Sequence, residues 1–168
     1  MKTYKQIFVR SSKPQDFGEL LNEFYSILLL CESESYERSN IKINSPLFTK
    51  PITNKVKLIH NYDTDYFIKE KIGKSEKWIL KPQIDLENLD NEIYFVSGNS
   101  KLKKLLKHLR NSFAHNLIVI DKGYFIIGDF LLKKKELDFD SPTMLGRVSE
   151  ENLKSLIESI KSLINNKQ

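Results

Sequence analysis

The 168 residues, with 40% hydrophobic and 11% aromatic side chains, exclude a disordered chain and predict a single domain over residues 1–168. The net charge of +5 is mildly basic, which suits a polyanionic partner such as RNA without requiring one. The lone cysteine, Cys31, excludes an internal disulfide, and the apolar runs are too short to span a bilayer. We therefore expect a cytoplasmic protein with no membrane partner.

The first strong helical pattern follows Asp16, which is a plausible N-cap. Apolar residues then recur at helical spacing up to about Cys31, namely Phe17, Leu20, Leu21, Phe24, Ile27 and Leu28. With Leu29 and Leu30 the apolar face becomes unusually wide. This pattern predicts a helix over 17–31 that is deeply packed or lies in a subunit interface.

The periodicity is lost between residues 32 and 98. Pro46, Pro51 and scattered polar residues favour loops there. Residues 63–71 predict a short helix that ends at Gly73, by the C-cap rule. We expect an irregular insertion over about 32–98, with no linker or repeat to indicate a second domain.

An amphipathic helix is predicted over Ser100–Asn116, capped by Ser100 or Asn99. Its apolar stripe consists of Leu102, Leu105, Leu106, Leu109 and Phe113. The rest of its surface is polar and contains no acidic residue from Lys101 to Asn116. The helix therefore predicts a buried leucine face and an exposed basic face.

Beyond this helix the pattern changes to that of strands. Short β-rich runs at Leu117–Ile120 and Tyr124–Ile127 flank Asp121-Lys122-Gly123, which predicts a hairpin. Residues 129–147, which include Lys133-Lys134-Lys135 and Pro142, are predicted to form a charged loop. Ser149 then caps a last amphipathic helix over Glu150–Asn165.

Three residues of the amphipathic helix, Arg110, Asn111 and His115, carry groups that can cleave RNA without a metal. A neutral imidazole near pH 7 can remove the proton of a ribose 2′-hydroxyl, and a guanidinium can stabilise the phosphorane that forms. The Asn111 amide can bind a phosphate oxygen or orient the imidazole. The nearby cations would attract the phosphodiester backbone, and we assign RNA binding to Lys103, Lys104, Lys107 and His108.

The sequence from Leu109 to Asn116, Leu-Arg-Asn-Ser-Phe-Ala-His-Asn, resembles the RNxxxH signature of the HEPN (higher eukaryotes and prokaryotes nucleotide-binding) superfamily. With the hairpin and the final helix that follow, it is similar to small bacterial HEPN proteins of toxin–antitoxin and anti-phage defence systems. The resemblance implies a mainly α protein, an antiparallel helical bundle with a short β-hairpin after the motif helix. It also implies that the motif helices of two subunits face each other in a homodimer.

The resemblance further implies a metal-independent endoribonuclease without a cofactor, whose products end in 2′,3′-cyclic phosphate and 5′-hydroxyl groups. The arginine, the polar residue and the histidine of the motif fall on Arg110, Asn111 and His115. A tyrosine that a related toxin group carries two positions after the histidine is replaced here by Leu117. This departure argues against control by an antitoxin that modifies that tyrosine, although another antitoxin or defence partner remains compatible.

Other interpretations of the same residues stay open. Arginine and histidine on a helix are more often solvated or hydrogen-bonded surface residues than catalysts. The chain is also compatible with a non-catalytic HEPN module that binds RNA, a nucleotide or a partner protein, or with a helical DNA-binding protein. Glu19 and Glu23 are candidates for a salt bridge with Arg110, and three histidines with one cysteine offer no zinc-like spacing.

Overall fold

A computed structural model of the chain describes residues 2–9, 18–33, 55–60, 65–98 and 101–165. The helices are α1 (Tyr4–Phe8), α2 (Gly18–Ser33), α3 (Lys101–Ala114) and α4 (Glu150–Asn165), with a 3-10 turn at Leu86–Asn88. The strands are β1 (Lys57–Ile59), β2 (Phe67–Ile72), β3 (Ser75–Leu80), β4 (Glu92–Phe95), β5 (Ile118–Asp121), β6 (Tyr124–Lys133) and β7 (Glu136–Ser149).

Five of these strands form one mixed sheet in the order β1-β4-β7-β6-β5. Strands β1 and β4 are parallel, and the other neighbours in the sheet are antiparallel. Strands β2 and β3 form a separate antiparallel hairpin. The long β6–β7 hairpin occupies the middle of the sheet and carries the residues on which α3 rests.

Both faces of the sheet are covered by other elements. Alternate residues of a strand point to opposite sides, so neighbouring residues belong to different core clusters. Ile93 and Phe95 of β4 pack with α2, α3 and α4 in one core cluster. Tyr94, between them, packs with α1, the β2–β3 hairpin and the 3-10 turn in a second cluster. The protein is therefore a mixed α/β structure in which one sheet separates a helical layer from a smaller layer.

This architecture overturns the expectation of a mainly α, HEPN-like helical bundle, because strands form the centre of the described fold. The largest error lies at 129–147, where a charged loop was expected and β6 and β7 pair instead. Lys134 and Lys135 have positive φ angles of 51° and 66° and form the two-residue turn between these strands. Pro142 is accommodated opposite Phe130, beside a register shift in the ladder.

The predicted insertion over 32–98 is also wrong where the structure describes it. Within the range 63–71 that was predicted to be a helix, the residues from Phe67 onward form β2, and Gly73, with a φ of +63°, lies in the turn to β3. Strands β1 and β4 from the same region complete the main sheet. Pro46 and Pro51, the caps proposed at Asn99 or Ser100, and the cap proposed at Asp16 lie outside the described residues.

The helices of the C-terminal half confirm their predictions. Four leucines of α3 are buried in the core, namely Leu102, Leu105, Leu106 and Leu109. Helix α4 begins after Ser149, whose Oγ accepts a hydrogen bond of 3.3 Å from the Asn152 amide, as the predicted cap requires. The hairpin between β5 and β6 is also confirmed, with positive φ angles at Lys122 and Gly123. No helix in the described part of the chain is long and apolar enough to cross a bilayer.

Candidate functional site

The C-terminal end of α3 is closed by backbone hydrogen bonds that set the position of His115. Asn116 takes a left-handed conformation with a φ of 55°. The Leu117 amide then donates to the Ser112 carbonyl at 2.7 Å and the Asn116 amide to the Phe113 carbonyl at 3.1 Å. This pair of contacts is a Schellman motif, which satisfies the last carbonyls of the helix and turns the chain into β5. His115 is thus the exposed C-cap residue, directly after the last helical residue, Ala114.

The outward face of α3 is basic. Lys103, Lys104 and Lys107 are exposed, and no acidic residue occurs within the helix. Partial burial lowers the pKa of Lys104, and repulsion from Lys107 and Lys103 lowers it further. The repulsion among these ammonium groups is one that a bound anion would relieve.

His108, which the sequence assigned to RNA binding, lies in the interior with 8% of its surface exposed. Its Nδ1 atom is 2.8 Å from Asp129 Oδ2, and its Nε2 atom is 2.8 Å from the Val96 carbonyl oxygen. A carbonyl only accepts, so Nε2 donates to Val96, and Nδ1 and Asp129 Oδ2 share the hydrogen of the second contact. Both ring nitrogens are therefore engaged, by Val96 just after β4 and by Asp129 of β6, which argues against the predicted role of His108 in RNA binding.

Asp129 is the centre of a polar network that sequence reasoning missed. It is 3% exposed, and its Oδ2 accepts a second hydrogen bond, of 3.2 Å, from the Asn111 amide nitrogen. Its Oδ1 accepts the backbone N–H of Phe130 at 3.0 Å. One signal for this residue was present in the sequence, since Asp129 is the only charge in the apolar run from Tyr124 to Leu132.

The network extends from Asp129 to Arg110. With its nitrogen bound to Asp129, Asn111 turns its Oδ1 outward, where it accepts a hydrogen bond of 2.9 Å from Arg110 Nη1. Both Arg110 and Asn111 are half-buried, at the border between the core and the solvent. We call the Val96 carbonyl, His108, Asp129, Asn111 and Arg110 the polar network.

Ser112 holds α3 against β6 beside this network. It is completely buried, and its Oγ lies 2.6 Å from the Gly128 carbonyl and 2.9 Å from the His108 carbonyl. Gly128 has no room for a side chain, because an added Cβ would lie 2.7 Å from the Phe8 ring. The contact of Ser112 with the Gly128 carbonyl thus holds the motif helix close to β6, whereas the close approach of Gly128 to Phe8 lies on the α1 side of the sheet.

The structure therefore brings Arg110 and Asn111 together but leaves His115 apart from them. Five residues along a helix correspond to a rotation of about 140°, so the side chains of Arg110 and His115 point in different directions. Glu23, which with Glu19 was a candidate for a salt bridge with Arg110, instead lies 3.0 Å from Lys161 on α4.

The remaining described histidine, His60, is buried beside Phe95, with 5.6 Å between ring centroids. Burial lowers its pKa to about 4, and the charge of Lys101 adds to the effect. Within the described ranges no group of three or more His, Cys, Asp or Glu residues is arranged to hold a metal ion. Comparison of the chain with protein-family models, with curated proteins and with solved structures gave no match.

Proposed function

We propose that the protein is a metal-independent endoribonuclease of the HEPN type, in which Arg110, Asn111 and His115 act from an α/β scaffold. The proposal concerns the chemistry of the motif and does not depend on a helical bundle, because a reaction requires a site rather than a fold. Its main support is the pre-ordered guanidinium of Arg110, held through Asn111 by a buried carboxylate beside an exposed lysine face.

The chemistry follows from the groups at the end of α3. The imidazole of His115, exposed to solvent, takes the proton from a ribose 2′-hydroxyl, whose oxygen attacks the adjacent phosphorus. The P–O5′ bond breaks as the 2′,3′-cyclic phosphate forms, and the leaving 5′-oxygen takes up a proton from solvent water. Arg110 stabilises the extra negative charge of the phosphorane through charge-assisted hydrogen bonds.

Lys103, Lys104 and Lys107 supply the binding surface in this proposal. They are exposed on the same helix as Arg110 and are positioned to attract successive phosphates of a single strand. His108 no longer belongs to this set and instead supports the site from below through Asp129.

A homodimer completes the proposed site. In one copy the side chains of Arg110 and His115 diverge, whereas an antiparallel second copy of α3 would place the histidine of one subunit near the arginine of the other. An RNA substrate and the single cysteine go with a cytoplasmic location. A role in a toxin–antitoxin or anti-phage system, with an antitoxin or defence partner, is part of the same proposal, because the resemblance to HEPN proteins implies it.

The experiment is cleavage of single-stranded RNA by the purified chain in excess EDTA. We expect cleavage that His115→Ala and Arg110→Ala abolish while their circular dichroism stays unchanged. Lys74→Ala, an exposed lysine in the β2–β3 turn beyond the opposite face of the sheet, is the control and should remain fully active. Cleavage that disappears with chelator, or that survives in both motif variants, would refute the proposal.

One observation favours a second candidate, a non-catalytic module that binds RNA or a protein. Arg110 and Asn111 already engage each other and Asp129, as residues with a purely structural role would. If the wild-type chain binds single-stranded RNA but does not cleave it over a long incubation, that result would support this candidate and exclude the nuclease.

A further inference from the structure

Asp129 differs from the motif residues in lying outside α3, on β6, yet it touches the motif directly. A carboxylate accepts hydrogen bonds and cannot donate them when ionised. The side-chain amide of Asn111 has a donor end and an acceptor end of nearly the same shape. Facing Asp129 at 3.2 Å, it must present its nitrogen, and its oxygen is then directed to Arg110.

We propose that Asp129 is a positioning residue for RNA cleavage, because it fixes the orientation of the Asn111 amide and thereby gives Arg110 the acceptor that orders its guanidinium. The inference rests on the proposed nuclease function for its catalytic consequence, although the ordering of Arg110 stands on geometry alone. His108 has a supporting part, since its ring holds the same carboxylate oxygen at 2.8 Å.

Replacement of Asp129 by asparagine shows why the charge matters. Three donors approach the carboxylate, from His108, Asn111 and Phe130, and its two oxygens serve all of them. An asparagine offers one oxygen and one NH2 group, so a donor must face a donor. An asparagine that keeps its oxygen on the Phe130 N–H turns its NH2 group toward Asn111, whose amide then flips and presents its own nitrogen to Arg110. The guanidinium thereby loses the Asn111 acceptor.

The test is the order of the Arg110 side chain, measured by the heteronuclear NOE of its Nε–H group. The resonance is assigned by its loss in Arg110→Lys. We expect a high NOE in the wild-type chain and a clear fall in Asp129→Asn. Asp138→Asn on β7 is the matched control, because it removes the same charge while its contacts, to Ser141 and the Asp140 amide, stay within its own strand.

A second variant keeps the test decisive if Asp129→Asn fails to fold. Asn111→Ala cuts the same network at a half-buried position and should lower the Arg110 NOE in the same way. An unchanged NOE in a folded Asp129→Asn chain, or in Asn111→Ala, would overturn the inference.

Kinetics separate positioning from general damage to the fold. We expect Asp129→Asn to lower kcat about 100-fold, as a small misplacement of a catalytic group does, and to leave KM unchanged. In an Arg110→Lys background the same substitution should have no further effect, whereas an equal loss in both backgrounds would overturn the inference. A wild-type chain without ribonuclease activity would refute the proposed function alone, since the NOE would still decide whether Asp129 orders Arg110.

Discussion

Asp129 and His108 join strand to helix through a buried contact of 2.8 Å between Oδ2 and Nδ1. The two residues come from β6 and α3, and the hydrogen bond of His108 to the Val96 carbonyl adds the residue after β4. The motif helix is therefore tied to two strands of the main sheet by polar contacts as well as by its leucines. Any shift of α3 would break these contacts together.

The first prediction concerns the stability of this pair. His108→Ala and Asp129→Ala should each lower the free energy of unfolding by about 1–3 kcal/mol, because each leaves a buried polar group without its hydrogen-bond partner. The double variant should cost less than the sum of the singles, by about 1–3 kcal/mol. Urea denaturation of the four proteins measures this coupling, and strictly additive losses would show that the contact contributes nothing specific.

The basic face of α3 gives a second prediction. Lys104→Ala combined with Lys107→Ala should weaken the binding of single-stranded RNA and reduce the slope of log affinity against log salt by about 1.4, at about 0.7 for each lost phosphate contact. Lys74→Ala with Lys77→Ala, on the β2–β3 hairpin, removes the same charge from exposed positions elsewhere. Fluorescence anisotropy at several salt concentrations distinguishes the pairs, and equal slopes for both would argue against an RNA-binding α3.

The divergence of Arg110 and His115 on one helix gives a third prediction. Arg110→Ala and His115→Ala chains, each inactive alone, should regain about a quarter of wild-type activity when mixed, because half of the dimers would be mixed and each would contain one intact composite site. Each variant taken through the same mixing procedure without the other is the control and should stay inactive. No recovery after verified subunit exchange would place the two residues in the same subunit's site, and a strictly monomeric chain would exclude the composite site.

His60 gives a fourth prediction, on the pH dependence of folding. Its pKa is lowered to about 4 in the folded chain, so between about pH 4 and 6.5 the unfolded chain binds more protons than the folded one. Its contribution to stability is thus present above pH 6.5 and is lost as the pH falls toward 4. His60→Leu should flatten the stability profile in this window, as measured by urea denaturation at a series of pH values. If the free energy of unfolding of His60→Leu falls with pH as steeply as that of the wild type, groups other than His60 cause the pH dependence.

The sequence predicted the elements whose apolar residues repeat on one side and whose ends carry recognisable caps. Helices α3 and α4 meet both conditions, and the Lys122-Gly123 turn carried the glycine that hairpin prediction relies on. The β6–β7 turn carries no such signal, because its two residues with positive φ angles are Lys134 and Lys135 and not glycine or asparagine. Because the charged residues of this turn are typical of a loop, the sequence predicted a loop where β6 and β7 form the longest hairpin.

The β2–β3 hairpin was missed for a different reason. Much of it is exposed, and only Phe67, Ile79 and Leu80 are buried, so the alternation typical of a half-buried strand is weak. Within the candidate site the motif residues were found because they are adjacent in sequence. The link from Asn111 to Asp129 spans 18 residues and depends on strand register, which composition and periodicity do not specify.

The most direct test of the nuclease proposal is the mass of the RNA fragments released in EDTA. We predict 5′ fragments that end in a 2′,3′-cyclic phosphate, 3′ fragments that begin with a 5′-hydroxyl, and complete resistance of an oligonucleotide with a single 2′-deoxy residue at the cleavage position. Fragments with 3′-hydroxyl and 5′-phosphate ends, or normal cleavage at the deoxy position, would contradict attack by the ribose 2′-hydroxyl and with it the proposed roles of Arg110 and His115.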